Sequence, residues 1–195
     1  VPAAVLVLIE AARNQEQMQV HALRSQRADV NFRSNDGSTA LLWAAHWNDV
    51  ETADLLLHAG ADPNVANDFH MTPLSQACVN ASASLVELLL KAGANPNAAN
   101  RYGITPLSLA CTNGNGAVVE LLLNAGANGD TAIPGGETPL MTASRTGKVD
   151  AVKALLARKV NLEGKDPHGQ TATVWAAAEG NVEVIEALIQ AGANF

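Results

Sequence analysis

The chain repeats itself every 33 residues. Threonine stands at 39, 72, 105, 138 and 171. The openings read Thr39-Ala40-Leu41, Thr72-Pro73-Leu74, Thr105-Pro106-Leu107, Thr138-Pro139-Leu140 and Thr171-Ala172-Thr173. A fixed period this long marks a stacked array, in which one unit cannot bury its own apolar face and must lean on its neighbours. Arrays of this kind present surface, so the pattern speaks to how binding occurs more than to what is bound.

Residues 100 to 132 show what one period encodes. Asn100-Arg101-Tyr102-Gly103 reads as a turn, with Gly103 free to take positive φ. Thr105 can cap a helix, and Pro106 suits its first position, where a missing N–H costs nothing. Leu107, Ala110 and Cys111 form one apolar face. Gly114 breaks that helix, and Val118, Val119, Leu121, Leu122 and Leu123 form a second stripe that ends at Gly126. The predicted unit is helix, turn, helix and extended loop.

The other units keep the same plan. Ala44, Ala77, Ala110, Ala143 and Ala176 match, as do Leu56, Leu89, Leu122, Leu155 and Leu188. Gly60-Ala61, Gly93-Ala94, Gly126-Ala127 and Gly192-Ala193 end second helices, and Asp62-Pro63-Asn64 and Asn95-Pro96-Asn97 follow two of them. With the Thr-Pro-Leu openings, this pattern closely resembles the ankyrin repeat over essentially the whole chain. The resemblance implies an all-α solenoid of stacked helix-turn-helix units with short hairpin loops. One array over 1–195 is expected, with a degenerate first repeat at 1–33 and further repeats at 34–66, 67–99, 100–132, 133–165 and 166–195. Ile9-Glu10-Ala11-Ala12 would lie in the first helix of repeat 1 and Val20-His21-Ala22-Leu23 in its second. The last repeat stops in the loop that should lead to another hairpin, so either the array continues beyond Phe195, which is the favoured expectation, or the final repeat tolerates an apolar edge.

Departures from the pattern carry their own expectations. Arg27 and Lys159 replace the glycine after a second helix, and His70 replaces a hairpin glycine. Holding such residues at positive φ costs about 1–2 kcal/mol, which points to altered turns or local strain in repeats 1, 3 and 5. Thr173 replaces leucine after the cap and should loosen the last repeat.

Composition narrows the function. Hydrophobic residues make up 48% of the 195 and aromatics only 4%, as in closely packed helices rich in Ala, Leu and Val. The net charge of −7 opposes phosphate binding, so no nucleic-acid partner is expected. The longest apolar run, Val1 to Ile9, falls far short of the roughly 20 residues that span a bilayer, so no membrane partner is expected either. Nothing demands more than a monomer. Residues 34–90 hold seven acids and no Lys or Arg, whereas 145–165 hold six basic residues.

Chemistry finds little footing. Cys78 and Cys111 occupy matching core positions in adjacent repeats. Such positions lie roughly 8–10 Å apart, whereas a disulfide needs Cα atoms within about 7 Å. Both therefore read as small buried thiols in alanine's place. The five histidines are scattered, so no nucleophilic triad converges and no enzyme is expected. His46, Asp68 and His70 could be imagined around a metal, but no Cys/His doublet has ligand spacing, and no cofactor is expected. Asn113-Gly114-Asn115-Gly116 lacks the lysine of a phosphate loop and reads as an inter-helix turn.

In ankyrin-like arrays the variable residues lie at hairpin tips and on the inner side of first helices. Carried onto this chain, those positions include Asp36, Phe69, Met71, Arg101, Tyr102 and Ile104 in hairpins, and His46, Trp47 and Arg145 in first helices. Trp47, Phe69, Met71, Tyr102 and Ile104 form an apolar run across repeats 2 to 4. Two readings follow: a partner-binding stripe, or local packing of Phe69 and Tyr102 on neighbouring hairpins with Trp47 covering the helix layer. Trp43 and Trp175 fall at positions more often buried between repeats. The resemblance implies a non-catalytic protein-interaction scaffold, whose partner would offer an apolar anchor and a basic rim to match the acidic repeats 2 and 3. The alternatives are the recognition arm of a larger enzyme or effector, and a small-ligand or metal-binding array.

Overall fold

A computed structural model describes residues 3–16 and 29–194 of the chain. The expected second helix of repeat 1, with Val20 to Leu23, and the departure at Arg27 lie outside the described residues. The chain forms two compact units, Val1–Asn95 and Pro96–Phe195. In the first, α1 is Ala3–Arg13, α2 Ala40–His46, α3 Val50–His58, α4 Pro73–Val79 and α5 Ala83–Lys91. In the second, α6 is Pro106–Asn113, α7 Gly116–Asn124, α8 Pro139–Arg145, α9 Val149–Ala157, α10 Ala172–Ala178 and α11 Val182–Gln190. Among the described residues all regular structure is helical.

Each recurring threonine does what its chemistry allows. The hydroxyls of Thr39, Thr72, Thr105, Thr138 and Thr171 accept from the backbone N–H groups of Leu42, Ser75, Ser108, Met141 and Val174, at 3.2, 3.1, 3.2, 3.3 and 3.4 Å. One orphan donor per first helix is thus satisfied by a side chain three residues earlier. The helices are short: α2, α4, α8 and α10 have seven residues each. Helices this brief are not stable alone, so stacking must hold them. In unit 1, α1 packs on α2, α2 on α4, and α3 on α5. In unit 2, α6 packs on α8, α8 on α10, α7 on α9, and α9 on α11. The alanine column is fully buried, and its small side chains permit the close approach of first helices. The leucines of the second helices are buried too, Leu56 and Leu89 in the first unit and Leu122, Leu155 and Leu188 in the second.

Side chains also tie successive repeats through their loops. Asn31 Nδ2 donates to the carbonyl of Gly60 at 3.0 Å, while its Oδ1 accepts from Asp62 N–H at 2.7 Å. Asn64 repeats both bonds with Gly93 and Asn95, and Asn97 repeats them with Gly126 and Asn128. At the next rung the residue is Asp130. Its Oδ1 accepts from Asn161 N–H at 2.8 Å, but a carboxylate has no donor to offer the carbonyl of Lys159. The substituted rung therefore coincides with the substituted glycine.

The expected strain is present and extends further. Lys159 and His70 hold φ of 55° and 57°. Asn48 and Ala81 also stand at positive φ, 55° and 53°, in the turns between paired helices. Gly114, Gly147 and Gly180 fill that turn in later repeats. Asparagine tolerates the left-handed region, whereas alanine has nothing to offset the clash of its Cβ with the carbonyl. Ala81→Gly is expected to stabilise the first unit by about 0.5–1 kcal/mol, after glycine's greater unfolded-state entropy is subtracted. Urea denaturation would show this as a raised midpoint at unchanged slope.

Thr173 is 7% exposed, and its Oγ1 has no hydrogen-bond partner. Its counterparts Leu41, Leu74, Leu107 and Leu140 are apolar and buried. The last repeat therefore carries a buried hydroxyl where the others carry a packed methyl pair, an arrangement that should cost stability.

Candidate partner-binding surface

Among the described residues five short fingers project between helix pairs, each closed across its base by a backbone bond and tightened by a second from its fourth residue back to its first. Ser34 N–H donates to the Ser38 carbonyl, Asn67 to Met71, Asn100 to Ile104, Ile133 to Glu137 and Asp166 to Gln170. Four fingers are braced further by the side chain of their first residue, beginning with Ser34, whose hydroxyl donates to the Ser38 carbonyl at 2.9 Å. Asn67 Oδ1 accepts from the N–H groups of Phe69 and Met71, both at 3.0 Å. Asn100 does the same for Tyr102 and Ile104 at 2.9 and 3.1 Å. Asp166 does so for His168 and Gln170 at 2.9 and 2.8 Å. Such local side-chain bonds hold the tip backbone in one shape. Ile133 has no side-chain acceptor, so the fourth finger relies on Gly135 and Gly136 instead.

In unit 1, Phe69 stands 50% exposed at a finger tip and Trp47 44% exposed at the end of α2. Met71, in the same finger as Phe69, is half-buried, so it serves as a base for the finger more than as its contact surface. His46 and Trp47 are brought together. The His46 ring lies edge-on to Trp47 at 4.8 Å and to Trp43 at 5.5 Å. Trp47 Nε1 donates to the carbonyl of Arg13 at 2.8 Å, which partly commits it to local packing. Asp36 and Asp68 are exposed on consecutive fingers, which are joined by a bond from Asp68 N–H to the Asp36 carbonyl at 3.0 Å. The Ser34 hydroxyl donates to Asp36 and holds its carboxyl below the usual carboxylate range; the Ser38 hydroxyl and N–H add to this against the upward pull of burial.

In unit 2, Tyr102 is 61% exposed, and the Arg101 guanidinium lies over its ring at 5.3 Å. Ile104 is half-buried, like Met71 in its own finger. Arg145 is exposed but engaged: its Nη2 donates to Glu137 at 3.2 Å, and its guanidinium lies 5.6 Å from the Trp175 ring centre. Trp43 and Trp175 are half-buried rather than fully enclosed. Neither is enclosed between repeats as expected, because each indole keeps one face for an arginine, and Trp175 also donates to Asp166 at 3.2 Å. Burial tends to raise the Asp166 carboxyl, but donors from Gln170, His168 and Trp175 prevail and hold it below its ordinary value.

Among the described residues, no three or more His, Cys, Asp or Glu side chains gather to hold a metal ion, and His46, Asp68 and His70 form no such group. Cys78 and Cys111 are fully buried thiols, and burial pushes the Cys111 thiol up to about 12. Neutral at ordinary pH, that thiol is no nucleophile. Glu10, Arg13 and Phe32 belong to no motif, and the one signal that marks any of them is arginine at both 13 and 145, 132 residues or four periods of 33 apart.

The sequence profile of ankyrin repeats, in three copies, matches residues 5–67, 48–132 and 127–195. The crystal structure of an ankyrin repeat domain from Acinetobacter baumannii AYE is similar at 32% identity and a TM-score of 0.87. The likeness covers 96% of this chain and 98% of that one. A 62-residue segment is 47% identical to the mitochondrial disaggregase of Bos taurus and 45% identical to that of Homo sapiens. The matched part is 32% of this chain and only 9% of the length of those curated relatives.

Proposed function

This chain belongs to the ankyrin-repeat family, and we propose that it is a non-catalytic protein-interaction scaffold that binds through its finger tips and the exposed ends of its first helices. Ankyrin repeats are generally protein-binding modules of this kind. The carrying observation is aromatic surface on braced backbone: Phe69 and Tyr102 are half or more exposed, while their own N–H groups are tied to Asn67 and Asn100. A rigid, exposed ring loses little freedom on docking, and aromatic anchors dominate interface energetics. In unit 1, Asp36 and Asp68 would meet basic groups around the anchor that covers Phe69 and Trp47. In unit 2, Arg101 and Tyr102 together offer a cation and a ring to a second part of the partner.

Affinity capture from the native source, followed by direct titration of the recovered protein, supplies the test. Phe69→Ala and Tyr102→Ala should each weaken binding about tenfold or more, with far-UV circular dichroism unchanged. Loss of helical signal instead would assign both rings to packing, and unaltered affinity would remove the fingers from the interface.

A second reading is favoured by the disaggregase match, in which a segment like this one forms a small part of a much larger protein. On that reading the array is the recognition arm of a longer chain, and the open reading frame around it decides the matter.

A further inference from the structure

Two first helices end in arginine at the same register. Arg13 closes α1, and Arg145 closes α8. Each guanidinium lies over a tryptophan of the following first helix, Arg13 over Trp43 at 5.3 Å and Arg145 over Trp175 at 5.6 Å. The tryptophans also share a register, 132 residues apart. What differs is the carboxylate. Arg145 is paired with Glu137, which stands in the finger just before the cap Thr138. No finger precedes Arg13 at that place, because α1 itself runs back to Ala3, and the residue at the register of Glu137 is Val5. Among the described residues the Arg13 guanidinium has its indole but no carboxylate.

The surroundings of Arg13 are built to hold it in place. Trp47 donates to its carbonyl at 2.8 Å from one side, while Trp43 supports its head group. The side chain opens into a cleft of about 590 Å³ that Ile9, Glu10, Phe32, Asp36 and Trp43 line with it. That size falls in the range of roughly 300–1,000 Å³ in which small ligands and side chains are held. An arginine stacked on an indole presents its fork pre-oriented, and a fork of this kind matches a carboxylate in two parallel hydrogen bonds. The carboxylates of Glu10 and Asp36 add a second demand, since an unaccompanied anion would be repelled by both.

We propose that this cleft binds a glutamate side chain of a partner polypeptide, flanked there by lysine or arginine. The glutamate would make with Arg13, between chains, the pair that Glu137 makes with Arg145 within one chain. Its basic neighbours would face Glu10 and Asp36. The inference goes beyond the finger-tip reading; it shares Asp36 with that reading but rests on α1 and the cleft and needs neither Phe69 nor Tyr102.

The test uses two short peptides, one with the core Lys-Glu-Lys and one with Lys-Gln-Lys, titrated at low salt into the isotope-labelled full chain. The Trp43 indole N–H and the Arg13 Nε–H are the reporters in nuclear magnetic resonance spectra. The glutamate peptide should shift both, and the glutamine peptide should bind about tenfold more weakly, since the amide has no charge and only one acceptor oxygen to offer the guanidinium. Arg13→Gln should abolish the difference between the peptides while its spectrum stays as dispersed as that of the parent. Equal binding of the two peptides, no shift at Trp43, or a response centred on Trp175 would overturn the proposal. The peptide comparison on the unaltered chain needs no variant to fold.

Discussion

Leu122→Ala is expected to cost the second unit about 3–4 kcal/mol, the middle of the range for a buried leucine that cannot be replaced by collapse of its surroundings. Leu122 is fully buried in α7, which packs on α9 and pairs with α6. Its neighbours in the column are held by their own repeats, so little can move in to fill the void. The loss also spreads, because stability in an array is the sum of repeat terms and the interfaces between them. Leu121, one residue away, is only half-buried, and its truncation should cost about 1–2 kcal/mol in proportion to the smaller area removed from water. Urea denaturation of both variants checks the ordering. Equal losses would show that the leucine column is not what holds the second helices together.

Gly103→Ala ranks second, at about 2–4 kcal/mol, from two separable causes. Gly103 has φ of 73°, and any Cβ there pays the left-handed penalty. A Cβ would also stand 2.6 Å from Cδ and 2.7 Å from Cγ of Pro134, part of a ring that cannot swing aside. Gly126 provides the control within the same unit. It has φ of 90°, yet a Cβ there meets nothing within 4 Å. Gly126→Ala should therefore cost only the backbone penalty of about 1–2 kcal/mol. Matching losses at the two positions would mean that the fingers shift freely and that the approach of Pro134 is not a constraint.

Much of the fold could be read residue by residue because its determinants are local. A threonine hydroxyl caps the N–H three residues on, a proline suits the first helical position, and alanine and leucine columns mark the two buried stripes. Lys159 and His70 were legible as strained for the same reason, since a register that calls for glycine fixes φ whatever residue occupies it. Ala81 and Asn48 escaped notice because the inter-helix turn is marked by glycine only in later repeats. Of the candidate surface, Phe69, Tyr102 and Trp47 proved exposed where expected, but Met71 and Ile104 are drawn half inward. Alternation along a finger does not disclose that difference, because it depends on how far the neighbouring loop reaches.

The period of 33, read alone, already determined that helix pairs form, where each begins, and which face each must hide. These follow from hydrogen bonds and apolar spacing within one repeat. Only the tertiary structure decided what these two arginines meet: Arg145 finds both an indole and Glu137, whereas Arg13, among the described residues, finds an indole without a paired carboxylate. Those partners lie in different loops and helices, some of them 30 residues away along the chain. Whether they touch depends on how one helix end is positioned over the next, a distance that no spacing in the sequence encodes.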